Sequence, residues 1–444
     1  METMNNKTTF NFLILALVSL MLGMFAGLFS GMQYMLPDFL KEFLPFSQMR
    51  EFHVSLNVAW IILAATGGVY FYISKENENG LAKGNYQKWH FRLYLLTGVL
   101  ILLSLFTKNM GGREYMTYSP YLYFPIILGW VLFAINYYKT IVKNISQWPV
   151  YLWMWMTGIL FMILTYTEAH LWVLPFFRDS VIRDVTVQWK SYGAMVGSWN
   201  MLIYGTAIYL MSKIKGDDSI ARGKVAFFFY FLGLTNLMFG WAHHTYIIPH
   251  KAWIRILAYG TSMTEWIIIG SMIIAWSNSL KSEQKKSSLA YRWLISTDVW
   301  VFINLVLALL ISIPAINLFT HGTHITVAHS MGTTIGINTT ILFASIFYIL
   351  FKQCTFCMDK YKRQLNFAFY LFHSSFFVFF SSLLYAGYQK GLWVKMVGNK
   401  PSFTQMHESL MPAIHTLVAS GFLLFVAVLL IAIPLIKALR SQSK

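Results

Sequence analysis

Among the chain's twelve histidines, His53, His170, the adjacent His243 and His244, and His329 stand inside or at the edge of long apolar runs. Imidazole is a good ligand for haem iron and transition metals. His329 and Met331 are two residues apart, which is about 200° around a helix. They face opposite sides, and both residue types ligate haem, so one helix could serve two haems. His243 and His244 lie only about 100° apart on a helix and could both turn toward one small ion. Cys354 and Cys357 form a C-x-x-C, but Met358 follows where a covalently attached haem needs histidine. Two ordinary reduced thiols are expected there.

The elements that hold these residues follow from composition. Of 444 residues, 57% are apolar and only 11% charged. An average soluble domain carries about a quarter charged residues, so soluble, fibrous and disordered classes are excluded. Two cysteines exclude a disulfide scaffold. A membrane-crossing helix needs about 20 apolar residues. Twelve stretches qualify: 10–33, 51–74, 91–107, 121–141, 148–173, 190–213, 223–246, 255–278, 292–318, 322–352, 365–388 and 411–438. The reading is an all-α polytopic bundle of twelve transmembrane helices in a lipid bilayer, one domain over 1–444.

The basic residues test the count. With both termini cytoplasmic, 22 of the 34 Lys and Arg fall on the inner side, including Lys83, Lys143, Lys215, Lys285, Lys362 and Lys444, and 12 fall outside. That is the asymmetry expected of inner-leaflet loops. The net charge of +17 is then largely topological, and no nucleic-acid partner is implied. In this orientation His53, His170, His243, His244 and His329 all lie in the outer half of the membrane. Buried ionisable side chains in a bilayer are costly and usually functional. Converging histidines in an apolar bundle fit a buried metal or haem site. His90, on the inner flank, is expected to be solvated. A secondary transporter would instead show an internal repeat and a midplane site.

These residues resemble subunit I of the haem-copper oxidase superfamily, and within it the catalytic subunit of bacterial nitric oxide reductases that take electrons from cytochrome c. "HVSLNVAW" resembles the low-spin haem helix, with His53 as ligand. "GWAHHTYI" resembles the paired ligands of the non-haem metal, His243 and His244, and "THGTHITVAHSMG" the segment carrying the high-spin haem's proximal ligand, His329. "GGREYMTYSP" is similar to an outer loop that helps bind calcium near the haem propionates, which implies Glu114 with Arg113 and His321 nearby. "SMTEW" implies a buried acid and proton relay at Glu265.

Two departures stand out. The family reads His-x-His where this chain has His329-Ser330-Met331, so the low-spin haem would be held by His53 and Met331. On the sixth helix, "SWNMLIYG" puts Tyr192 where a third metal histidine belongs and Val196 where a glutamate belongs. "HLWV" matches the family's histidine motif at His170, but Arg178, Asp179, Arg183 and Asp184 follow, and no membrane helix is expected to continue through them. Tyr192 and His170 are therefore the candidates for a third ligand.

The resemblance implies two b-type haems, one non-haem metal (iron rather than copper), calcium, and an outer-face cytochrome c subunit in the bacterial inner membrane. The implied reaction is nitric oxide reduction to nitrous oxide. Oxygen reduction is the alternative within the family. Its high-affinity class carries a crosslinked tyrosine six residues before the histidine pair, where this chain has Leu237. A haem electron-transfer or sensing subunit with a degenerate metal site is the alternative outside it.

Overall fold

A computed structural model describes residues 2–141, 145–246, 248–249, 251–281, 289–354 and 357–442, without the side chains of 2–6, 262–267, 269–270 and 273. Its frame is a set of long helices: α1 (Glu2–Met35), α2 (Phe46–Glu76), α3 (Tyr86–Phe106), α4 (Tyr123–Ile141), α5 (Val150–Glu168), α6 (Val181–Lys215), α7 (Lys224–Phe239), α8 (Ala252–Ser279), α9 (Leu289–Ser312), α10 (His324–Gln353, in three parts), α11 (Lys362–Lys395) and α12 (Met411–Gln442). Ten segments of the described chain are long and apolar enough to cross a membrane. With no water in the hydrocarbon core, only a helix satisfies its own backbone there, and almost everything described is helical. A short hairpin, β1 (Met110–Arg113) with β2 (Met116–Tyr118), is the described sheet.

The bundle closes on itself. α1 packs along α2 and also along α12, α5 along α6, α9 along α10, and α11 along α12. Small residues permit the close approaches, as expected where lipid supplies no hydrophobic drive between helices. Gly67 of α2 lies against Phe12 and Leu13 of α1, and Gly158 of α5 against Leu202 of α6. Large apolar side chains such as Leu96 and Phe124 point outward, where lipid replaces water.

Several expectations are corrected. α6 begins at Val181 rather than at 190, with Asp184 in its first turn. The chain does leave helix at Glu168, passing through short turns at Leu171–Val173 and Pro175–Arg178, so α5 stops before the charges while α6 tolerates them. Its first turns lie beside the hairpin, where Arg113 Nη2 donates to Asp184 Oδ2 at 2.7 Å. α9 stops at Ser312, not 318, because Pro314 lacks an amide hydrogen and starts a separate helix, Pro314–Thr320. His90 is 0% exposed. Phe12, Tyr94 and Phe133 enclose its ring, and Tyr70 Oη lies 3.1 Å from Nδ1. Cys354 and Cys357 form a disulfide rather than two thiols. α10 ends at Gln353, Cys354 is extended, and its Cα lies 5.5 Å from that of Cys357, within disulfide reach.

Candidate functional site

The site is built at one end of the bundle, where α2 begins, α7 ends and α10 begins. His53 stands two turns into α2. Its Nδ1 lies 2.8 Å from the Gly23 carbonyl of α1. A carbonyl only accepts, so Nδ1 carries the hydrogen and Nε2 keeps its lone pair free to ligate. Gly27 makes this possible: a Cβ there would sit 2.3 Å from His53 Nδ1.

His329 repeats the arrangement on α10. Its Nδ1 is 3.2 Å from Asn304 Oδ1 of α9, again leaving Nε2 free. Asn304 is itself oriented, donating from Nδ2 to Thr333 Oγ1 at 2.8 Å. A Cβ at Gly332 would sit 2.3 Å from Asn304 Oδ1, so this position too must stay small. His329 and Met331 belong to the α-helical first part of α10, His324–Met331, and so keep their opposed directions. An eight-residue π-helical stretch, Gly332–Thr339, follows at once, then regular helix from Thr340. Such stretches concentrate at functional sites.

Met331 is partly buried against the main apolar core. Trp60 Nε1 of α2 donates to Thr339 Oγ1 of α10 at 3.0 Å. Counting back from that bond, His53 is seven residues away on α2 and Met331 eight on α10, both toward the histidine end of neighbouring helices.

His243 and His244 are not on regular α-helix. α7 gives way at Gly240 to a 3₁₀ turn, Gly240–Thr245, which places successive side chains about 120° apart. The rings lie with centroids 4.1 Å apart and planes at 41°. Asn317 Nδ2 donates to the His243 carbonyl at 3.3 Å. The pair lies within electrostatic range of His329 and of His321. Burial holds the His321 imidazole below its usual range, so it is neutral at pH 7. Trp189 of α6 stacks on His244 at 5.9 Å and 17°.

Thus the structure sets His243 against His244, with His329 and His321 within electrostatic range of the pair. It does not bring Tyr192 or His170 to the pair through any contact among the described residues. Tyr192 is 5% exposed, and its ring neighbours are Tyr115 of the hairpin and Trp189. His170 packs on Tyr123 and Tyr166, with Nδ1 2.9 Å from the Tyr166 carbonyl. The side chain of Glu265 lies outside the described residues. Among described residues no group of three or more His, Cys, Asp or Glu forms a metal cage.

The hairpin caps this end. Arg50 of α2 bridges Glu51 at 2.8 Å and Glu114 at 2.7 Å, and Thr117 Oγ1 donates to Glu51 Oε2 at 2.9 Å. Arg113 lies over Trp172 at 4.7 Å. Two carboxylates therefore share one guanidinium beside the histidine layer. Sequence reasoning missed Trp189, Asn304 and Gly27. Only Asn304 carried a signal, as a carboxamide inside an apolar crossing.

Comparison with known proteins follows the same lines. A family model described as cytochrome C and quinol oxidase polypeptide I matches residues 7–431. A nitric oxide reductase subunit of Stutzerimonas stutzeri is 23% identical over 344 residues, covering 73% of this chain and 71% of that protein. A cryo-EM structure of a heme-copper terminal oxidase dimer superposes with a TM-score of 0.73 at 14% identity, covering 98% of this chain and 84% of that one.

Proposed function

The chain belongs to the cytochrome c and quinol oxidase polypeptide I family, a multi-pass membrane oxidoreductase family, and from that premise we propose that it reduces nitric oxide to nitrous oxide with electrons from a cytochrome c partner. One observation carries the reading: His329, with Nδ1 engaged and Nε2 free, lies within electrostatic range of the His243–His244 pair, and Met331, two residues on in the same α-helical segment, is turned to the opposite side of α10. The name of the Stutzerimonas relative, a nitric oxide reductase subunit, supports the substrate.

The residues present fit the groups this function needs. Each axial histidine has its Nδ1 hydrogen engaged and its Nε2 available, which fixes tautomer and ring direction. His53 and Met331 would hold the low-spin haem, His329 the high-spin haem, and His243 with His244 the non-haem iron. When bound, these groups supply redox equivalents and Lewis acidity. The polypeptide supplies position: Asn304 and the Gly23 carbonyl aim the rings, and Trp189 steadies His244. Glu265 would complete the metal's donor set. The carboxylates of Glu51 and Glu114 offer oxygens for calcium at the rim. The basic end faces the cytoplasm of a bacterial inner membrane in this reading.

The balance is two nitric oxide molecules, two electrons and two protons giving nitrous oxide and water. The purified protein should form nitrous oxide from nitric oxide under anaerobic reduction. Oxygen consumption without loss of nitric oxide would overturn the choice of substrate.

Two variants test the ligands. A valine at Gly27 has nowhere to go but into the His53 ring, so Gly27→Val should lose the haem that does not bind carbon monoxide and keep the one that does. An unchanged reduced-minus-oxidised spectrum would remove His53 from the ligand set. Met331→His should lower the reduction potential of that same haem, because thioether ligation raises it relative to bis-histidine. An unmoved potential in redox titration would exclude Met331.

A further inference from the structure

Proton supply to the buried site is the question left open by the ligands. α9 carries, beside Asn304, a carboxyl inside the membrane-spanning bundle: Asp298. Its Oδ2 is buried with no hydrogen-bond partner, and no cation neutralises it among the described residues. Ionisable groups at such depth are expensive and mark functional sites or proton relays. Asp298 lines a cavity of about 50 Å³ between α6, α7, α8, α9 and α10. A water needs roughly 10–15 Å³ of such space, so a few fit beside the carboxyl. Tyr204 is the other titratable group on the wall, which is otherwise apolar apart from Thr297.

Two polar pairs lead away from this cavity. Thr297 Oγ1 lies 2.7 Å from Thr340 Oγ1 of α10. Asn338 Nδ2 donates to Asn200 Oδ1 of α6 at 3.2 Å, while Asn338 Oδ1 is buried without a partner and is free to accept from water. Asn338 and Thr340 lie between the cavity residues Ile337 and Ile341 on α10. Above them α10 continues to Thr333 and His329, both bonded to Asn304. Asp298 is six residues from Asn304, about 9 Å along α9, on the side away from the histidine layer. It thus sits beneath the site, toward the end rich in Lys and Arg.

We propose that Asp298 is a proton-holding relay that takes protons entering from the basic end of the bundle and passes them, through water in the cavity and the Thr297–Thr340 and Asn200–Asn338 pairs, toward the space between His329 and the His243–His244 pair. This rests on the proposed gas reduction, which consumes one proton per electron. The acid gives its proton to a cavity water and is reprotonated from the basic side, so no net charge stays in the bundle. Asp298 touches no substrate and acts through other groups.

The experiment compares the native protein with Asp298→Asn and Asp298→Glu, both checked for native haem spectra. Expected are a turnover at least ten-fold slower in Asp298→Asn, recovery in Asp298→Glu, and slowed proton uptake in proteoliposomes from the face carrying the basic loops. Redox-difference infrared spectroscopy without any gas should show a carboxylic C=O band that Asp298→Asn abolishes. Native turnover in Asp298→Asn, or uptake from the opposite face unaffected by it, would overturn the relay. A native protein inactive with nitric oxide would count against the proposed substrate alone, and the infrared band would still decide whether Asp298 exchanges a proton.

Discussion

Replacing His329 with alanine is expected to remove the carbon monoxide-binding haem and reduce gas turnover to background, while the other haem and the helical fold persist. The reasoning is local. His329 is the imidazole within electrostatic range of the His243–His244 pair whose Nδ1 is satisfied by Asn304, leaving Nε2 free. Alanine is the best helix former, so α10 keeps its shape and the loss reports ligation rather than folding. Asn304 gives a graded comparison. Removing a partner behind a metal ligand weakens binding by about 10–100-fold, so Asn304→Leu should lower occupancy of the same haem without abolishing it. A reduced-plus-carbon-monoxide spectrum separates these outcomes. If His329→Ala still bound carbon monoxide at native stoichiometry, His329 would not be the ligand.

Much of this is legible in the amino-acid sequence. Apolar length and the alternation of basic loops are sufficient for the bundle, because the bilayer admits few alternatives to a helix. What is not legible depends on contacts between helices. His90 sits among basic residues in sequence, yet α1 and α4 supply Phe12 and Phe133 around it. Likewise nothing at Gly27 announces that it makes room for His53, since the partner is on the next helix. The break of α7 into a 3₁₀ turn at Gly240, and the π-helical stretch after Met331, are also invisible to a reading that assumes regular periodicity.

The third ligand is the least legible part. The two candidates found by motif, Tyr192 and His170, are placed by the structure among Tyr115, Tyr123 and Tyr166, whereas the aromatic residue lying on His244 is Trp189. Asp298 and Asn304 escape a sequence reading for a different reason. Histidines announce themselves as ligands, although a carboxylate and a carboxamide inside the apolar crossing 292–318 are equally costly to bury and equally informative.

Changing both His243 and His244 to alanine should leave both haem spectra in place, strip the non-haem metal, and lower turnover by on the order of a thousand-fold. A metal acting as Lewis acid contributes several kcal/mol, and about 4 kcal/mol corresponds to roughly three factors of ten. The backbone should tolerate the change. Asn317 bonds the carbonyl of residue 243 rather than its ring, and the 3₁₀ turn is set by Gly240 and the chain leaving α7. Metal analysis then distinguishes two causes of inactivity. Loss of metal with both haems retained assigns the pair as its ligands. Retention of metal would shift the ligands elsewhere, and native turnover without metal would show that His329 and its haem suffice. The single variants sharpen the test. Trp189 stacks on His244 alone, so His243→Ala keeps one braced imidazole whereas His244→Ala keeps an unbraced one, and the latter should hold metal less tightly.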